Sequence, residues 1–305
     1  MLTVSLGFSC LTRFSIEQVS ADHRRFPFDY AICTRKGVVQ ALDSHGASLQ
    51  ADPEALSVFA TATEGREGPT KGEFYYWHDY PMGGVQTLAD DWRRAVPEVN
   101  DRYRYLWDRF DRLIVDAETP KRFVLSNAQH NLPDFATAGD FDARFALDTA
   151  YYVSLTDSLD RYGVSDYRIV FLNRNIAHTV ETRTRITDPR FSTRFVGVLN
   201  LPTHGRIAAS ALGPDAPGEG RLARACGRYE GGWRLEASGP ATATVYKDGA
   251  TGSTLAGEFC ETLGGFLAVL VHAPNQVFRV IEDGGDLRFA GRVGGEDPRW
   301  RRLGS

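Results

Sequence analysis

Apolar and polar positions recur along the chain in two rhythms. At the N-terminus "LTVSL" is a short, β-branched, alternating run of the kind that forms a strand. It leads through Gly7, Phe8 and Ser9 to Cys10, and "CLTRFSIEQV" follows with Leu11, Phe14 and Val19 on one side, as in a helix. Strand, tight turn and helix are therefore predicted, with Ser9 as the N-cap. "TRKGVVQALDSHG" predicts a short helix capped by Thr34, with Val38, Val39 and Leu42 as its apolar side. "PEALSVFATA" predicts another, with Pro53 in its first turn, and "GEFYYWHDYP" an aromatic strand stopped by Pro81. The clearest period lies in "PEVNDRYRYLWDRFDRLIVDA". There Val99, Tyr103, Leu106, Trp107, Phe110, Leu113 and Ile114 share one face, and Asp and Arg occupy the other.

"KRFVLSN" and "YRIVFLN" read as continuous apolar strands. Between them "DFDARFALDTAYYVSLTDSLDRYG" predicts one long helix, capped by Asp140 and ended by Gly163. Continuous apolar strands separated by helices predict a parallel sheet covered on both faces, with Val4, Val124 and Val170 in central strands. The expected fold class is α/β, a parallel sheet flanked by helices in the flavodoxin or SGNH manner, over residues 1–200. Near residue 200 the pattern changes: Gly and Pro become frequent and long helical periods vanish. "GWRLEAS", "ATATVYKDG", "FLAVLVHA", "QVFRVIEDG" and "LRFAGRV" predict short strands, with "KDGATG" and "EDGGD" as hairpin turns. Residues 205–305 are thus expected to form a β-rich C-terminal module. Its interior would draw on Leu267, Val269, Val271, Phe278 and Val280, with "FLAVLV" as a buried strand.

Charge and composition narrow the function classes. The 305 residues carry 35 Lys and Arg against 39 Asp and Glu, a net charge of −4, so no basic field invites nucleic acid. No apolar run is long enough for a membrane span, and no signal peptide is evident at the N-terminus. The four cysteines are scattered without a CxxC pair, which predicts a cytoplasmic protein with reduced thiols and no zinc ribbon.

In an open parallel sheet, ligands bind outside the carboxyl ends of the strands. "VSLGFSC", "FVLSNAQHN" and "IVFLNRN" end in polar residues there, which would gather Cys10, Asn127 and Asn173 at one edge. Cys10 in the first turn of a helix would have its thiolate favoured by free N–H groups and the helix dipole. A thiolate can attack a carbonyl, and an Asn amide can donate to the developing oxyanion. SGNH-type hydrolases use such a geometry with Ser as nucleophile, but the late Asp-x-x-His pair of those enzymes is missing here. The base is sought among the histidines: His78 beside Asp79 in an aromatic setting, then His130 after a strand end, then His204 near the proposed domain junction. Ser9, Asp79, Asn173 and His130 are the candidate substrate-binding residues. Asp29, in "RRFPFDYAICTRKGV", would either satisfy backbone donors in a turn or hold a group near the thiol.

"VSLGFSC", "RFPFDYAICTRKGVVQAL", "WHDYP" and "RYRYLWDRFDRL", in that order, resemble a bacterial domain-of-unknown-function family described as papain-like cysteine peptidases. The resemblance covers about the first 175 residues and implies Cys10, Asp29 and His78 as the site. The strand before Cys10 argues against a literal papain fold, in which the Cys opens a long central helix. Some polysaccharide-biosynthesis acetyltransferases are similar in outline. The expected function is cysteine-dependent acyl transfer, as a hydrolase or an acyltransferase, on a small-molecule, glycan or peptide substrate. No cofactor is required unless the acyl donor is coenzyme A, whose phosphates would need a strip such as Arg93, Arg94, Arg102 and Arg104. The alternative is a non-catalytic glycan- or protein-binding protein with a structural Cys10, using Trp233 and Trp300 to stack on sugar rings.

Overall fold

The computed structural model describes residues 1–17, 24–29, 31–129, 131–136, 139–197, 225–239, 242–250, 252–262, 265–270, 273–283, 286–290 and 299–303. β1 (Leu2–Ser5) leads into α1 (Cys10–Glu17), followed by β2 (Ile32–Cys33) and α2 (Arg35–Asp43). β3 (Ser57–Ala60), β4 (Glu67–Lys71) and β5 (Phe74–Tyr75) precede the long α3 (Val96–Ile114). β6 (Lys121–Ser126), α4 (Phe141–Phe145), α5 (Thr149–Tyr162), β7 (Tyr167–Asn173), α6 (Ile176–Arg185) and β8 (Phe191–Phe195) complete this part.

β1, β6, β7 and β8 lie side by side in that order, all parallel. Both faces of the sheet are apolar because both are covered. Phe123, Leu125, Ile169 and Phe171 pack into the large core on one side, where Tyr151 of α5 stacks on Phe171 at 5.9 Å. Val124, Val170 and Leu172 point to the other side and meet Ile16 of α1 and Ile176 of α6. Val124 and Val170 occupy the two central strands, as expected. Val4 does not: β1 is an edge strand, because the chain between β1 and β6 builds its own antiparallel sheet, ordered β2–β5–β4–β3.

Local signals explain most boundaries. Thr34 caps α2 by accepting from the Gly37 N–H at 3.2 Å, and Val38 and Leu42 are buried beneath it. Two expected helices take other forms. The Pro53 helix stops after a single 3₁₀ turn at Pro53–Ala55, and the following Ser57–Ala60 pairs with β4 instead; strand pairing overrides a weak local preference. The long helix from Asp140 divides. Ala146 is extended, Phe145 and Leu147 turn into the core, and Asp148 caps the second half by accepting from the Tyr151 N–H at 2.7 Å. Gly163 ends it in the left-handed conformation at φ 87°.

The remaining strands are β9 (Gly227–Tyr229), β10 (Trp233–Gly239), β11 (Thr242–Gly249), β12 (Gly252–Thr262), β13 (Gly265–Leu270), β14 (Ala273–Asp283), β15 (Asp286–Ala290) and β16 (Arg299–Trp300). Each pairs antiparallel with its neighbour in sequence, an eight-stranded meander. The expected hairpins appear as the Gly249–Gly252 and Asp283–Asp286 pairs, whereas β12 was not anticipated. Leu235, Ala243, Val245, Phe259, Ala268, Val280, Leu287 and Trp300 form its core. Of the residues expected in its interior Val280 is buried, while the side chains of Leu267, Val269, Val271 and Phe278 lie outside the described residues. Among the described residues no helix is long and apolar enough to cross a membrane.

Candidate active site

The end of β1 is fixed by hydrogen bonds that carry on past the strand. Leu6 N–H donates to Val124 O at 2.9 Å and Ser126 N–H to Gly7 O at 3.1 Å. Gly7 has φ 110°, and a Cβ there would lie 2.9 Å from Cys33 Sγ, so both the backbone angle and the close approach require glycine. Ser9 precedes α1, and its Oγ accepts from the Leu11 N–H at 3.4 Å. Thr12 Oγ1 donates to Gly7 O at 2.8 Å and accepts from Gln129 Nε2 at 3.0 Å, which ties the turn to the chain after β6. Cys10 is thereby held half-buried at the start of α1.

Cys10 and His78 line one cavity of about 870 Å³. Its walls come from the first turns of α1, the 25–27 turn, the 61–66 loop, the 77–79 turn, one side of α3 and the 131–135 turn. Leu11, Phe14, Trp77, Leu106 and Phe135 give it apolar surface. Leu11 and Phe14, expected on one side of α1, both belong to this wall, with Phe14 39 % exposed; Val19 lies outside the described residues.

The electrostatics correct one expectation. Burial pushes the Cys10 thiol above its ordinary pKa, and hydrogen bonds from Ser9 and from the N–H groups of Cys10 and Leu11 oppose this without prevailing. The helix end therefore does not make a standing thiolate, because desolvation outweighs it. His78 is exposed in the turn after β5, yet its imidazole is held below the ordinary value, first by desolvation and then by the Arg66 charge, with Asp79 acting the other way. Cys10 and His78 are therefore a neutral thiol and a neutral imidazole near pH 7.

Asp79 serves α3 rather than the imidazole ring. Its carboxylate accepts from Arg102 Nη2 at 2.7 Å and from the Tyr103 hydroxyl at 2.8 Å, which fixes the 77–79 turn on the helix. Asn127 and Asn173 are buried away from the cavity. Asn127 Nδ2 donates to Phe145 O at 3.0 Å and to Asn173 Oδ1 at 3.2 Å, and Asn173 Nδ2 donates to Leu147 O at 2.9 Å. With its amide hydrogens spent on this strut between β6, β7 and the 145–147 link, Asn127 has none for an oxyanion. His130 and His204 lie outside the described residues; the neighbours of His130 are Gln129, which is buried, and Asn131, which lines the cavity.

Asp29 accepts from the Phe26 N–H at 2.7 Å and lies 3.8 Å from Arg13 Nε. It closes the turn that carries Arg25, Phe26 and Pro27 into the cavity wall, and is not itself part of that wall. Burial raises its pKa to about 7, with the Phe26 N–H and Arg13 acting against the rise. A carboxyl raised in the folded state binds a proton on folding between roughly pH 4 and the folded value. The stability it confers is full below about pH 4 and is lost as the pH rises through about 7. Urea denaturation should therefore give a lower unfolding free energy at pH 8 than at pH 5, with Asp29→Asn flattening the difference. An unchanged slope in the variant would assign the pH dependence elsewhere.

Sequence reasoning missed the residues that the 61–66 loop and the 131–135 turn bring in. The Arg66 guanidinium carbon lies 4.5 Å over the Trp77 ring, and Trp77 meets Phe135 edge-on at 5.3 Å. Of the proposed phosphate strip only Arg102 reaches the cavity. Arg94 pairs with Asp91, Arg104 with Asp101, and Arg93 covers Trp92. In the tail, Trp233 and Trp300 stack on each other at 4.4 Å, and Lys247 lies over Trp233, so these ring faces are engaged within the sheet. Among the described residues no three His, Cys, Asp or Glu side chains gather as a metal site requires. Comparison of the chain with family models, with curated proteins and with solved structures found no match.

Proposed function

We propose that the protein is a cysteine-dependent acyl-transfer enzyme with Cys10 as nucleophile and His78 as base. The observation that carries this reading is that the two side chains, far apart in sequence, line the same cavity. Because both are neutral at rest, the thiol proton moves to the imidazole as sulfur attacks the carbonyl carbon. The tetrahedral oxygen accepts from the Cys10 N–H at the start of α1. Collapse forms a thioester, and the leaving group departs with the proton from the imidazolium. Water or another acceptor then attacks the thioester, with the imidazole again taking the proton, and free Cys10 is restored. The scaffold reading that goes with this is SGNH-like, with Cys in place of Ser after β1, and the motif order resembles that of the bacterial papain-like cysteine peptidases. The acyl acceptor separates hydrolase from acyltransferase, and the substrate is a small molecule, glycan or peptide.

The test is acylation rather than alkylation. Incubation with p-nitrophenyl acetate should place an acetyl group on the Cys10 peptide, read by mass spectrometry. Iodoacetamide should label Cys10 slowly at pH 7, since it reports standing thiolate. His78→Ala should slow acylation by about 100-fold or more. Acylation lost instead in His130→Ala would transfer the base role to His130, and no adduct on Cys10 in the unmodified protein would end the acyl-transfer reading.

A further inference from the structure

The cavity contains four guanidinium groups, from Arg25, Arg66, Arg102 and Arg109, against the three carboxylates of Glu64, Asp79 and Asp134. Two of the carboxylates are already engaged. Asp79 holds Arg102 and Tyr103, and Asp134 accepts from the Thr63 hydroxyl. Arg109 is spent on Arg25 O, on the Tyr105 hydroxyl and on the Tyr105 ring. Arg66 differs from these. Its guanidinium lies against the Trp77 face, and among the described residues it has no carboxylate partner. Its Nε is buried without a hydrogen-bond acceptor. Asn131, on the same cavity, has a buried Oδ1 that likewise lacks a partner. Arg66 is half-buried, and a guanidinium in that setting gains from a carboxylate partner that completes its hydrogen bonds. What reaches the wall shared with the nucleophile is the rest of the Arg66 guanidinium, a half-buried cation that no carboxylate among the described residues neutralises.

We propose, resting on the acyl-transfer reading above, that the cavity selects acyl substrates that carry a single carboxylate, held by the Arg66 guanidinium. The ring face of Trp77 fixes the guanidinium plane and leaves its outer edge for a two-point carboxylate contact. The Arg66 guanidinium, without a carboxylate partner among the described residues, matches a monoanion. A phosphate dianion would meet the Glu64 and Asp134 carboxylates as repulsive neighbours. Phe14, Leu106 and Phe135 provide apolar surface for the chain between the carboxylate and the reacting carbonyl.

The test uses two esters that differ only in charge: mono-p-nitrophenyl glutarate and the same ester with its free carboxyl methylated. The intact protein should acylate Cys10 about tenfold or more faster with the charged ester. In Arg66→Met that ratio should fall to about 1, and in Arg66→Lys, which keeps the charge without the planar fork, to an intermediate value. Equal rates for the two esters in the unmodified protein, or a ratio unchanged by Arg66→Met, would overturn the carboxylate assignment while leaving Cys10 acylation standing. If neither ester acylates Cys10, the acyl-transfer reading fails, and calorimetry with monomethyl glutarate decides the anion site by itself. Binding that disappears in Arg66→Met upholds the site, and no binding to the unmodified protein overturns it. Tighter binding of inorganic phosphate than of monomethyl glutarate would also overturn it.

Discussion

Cys10→Ser should lower acyl transfer by about a thousandfold or more and leave the fold in place. The change substitutes oxygen for sulfur at a half-buried position flanked by Thr12, which already donates to both Ser9 O and Gly7 O. Nothing in the cavity wall has to move. The chemistry changes far more than the packing. Desolvation and Arg66 have lowered the basicity of His78, and such an imidazole can draw a proton from a thiol far more readily than from an alcohol. The raised pKa of Cys10 makes the reaction depend on that transfer, since no standing thiolate bypasses it. Release of p-nitrophenol and a thermal melt on the same sample measure the two effects. A serine variant that turns over near the original rate would remove Cys10 from the reaction, and a collapsed melting temperature would show a structural role.

Phe110→Ala should be the most damaging single change in the helix behind the cavity, costing about 3–5 kcal/mol. Phe110 is fully buried, and its ring meets Trp107 at 5.0 Å, Phe28 at 6.0 Å and Phe26 at 6.3 Å. The contacts with Phe26 and Phe28 join α3 to the turn closed by Asp29, and that turn is one wall of the cavity. The void would open between rigid neighbours that cannot collapse into it. The melting temperature should drop by about 10 °C, and the 25–27 wall should lose its fixed position. A shift of only a degree or two would mean that the turn is held by Asp29 and Arg13 alone.

The parts of this molecule written most plainly in the chain are those whose own residues carry an unbroken burial pattern. The period of α3 and the unbroken apolar runs of β6 and β7 each report burial on known faces, and the structure places them accordingly. The single long helix misjudged Ala146–Asp148 because its periodicity survives a break that only Phe145 and Leu147, drawn into the core, enforce. β12 went unseen because "GSTLAGEFCET" has little apolar alternation and owes its form to strands on both sides. At the site, Cys10 and His78 were legible as chemistry. Arg66 and Asn131 were not, since a loop arginine and a turn asparagine acquire meaning only when β4, β5 and the chain after β6 place them on a common cavity. The role first given to Asn127 was lost for the same reason, its partners being carbonyls that no motif reveals.

The two large sheets also differ in how they come into being. In the meander every strand finds its partner next door in the chain, so each hairpin can close with little loss of loop entropy. The parallel sheet has no such shortcut. Leu2 must wait for Lys121, and Lys121 for Tyr167, before either ladder can begin. Contact order therefore sets the tail as the quick folder and the sheet that carries Cys10 as the slow one. On the ribosome the order of synthesis runs the other way: β1 emerges first and stays an unpaired, apolar strand through the making of α3, the interval in which a chaperone or a wrong edge has its chance to bind it.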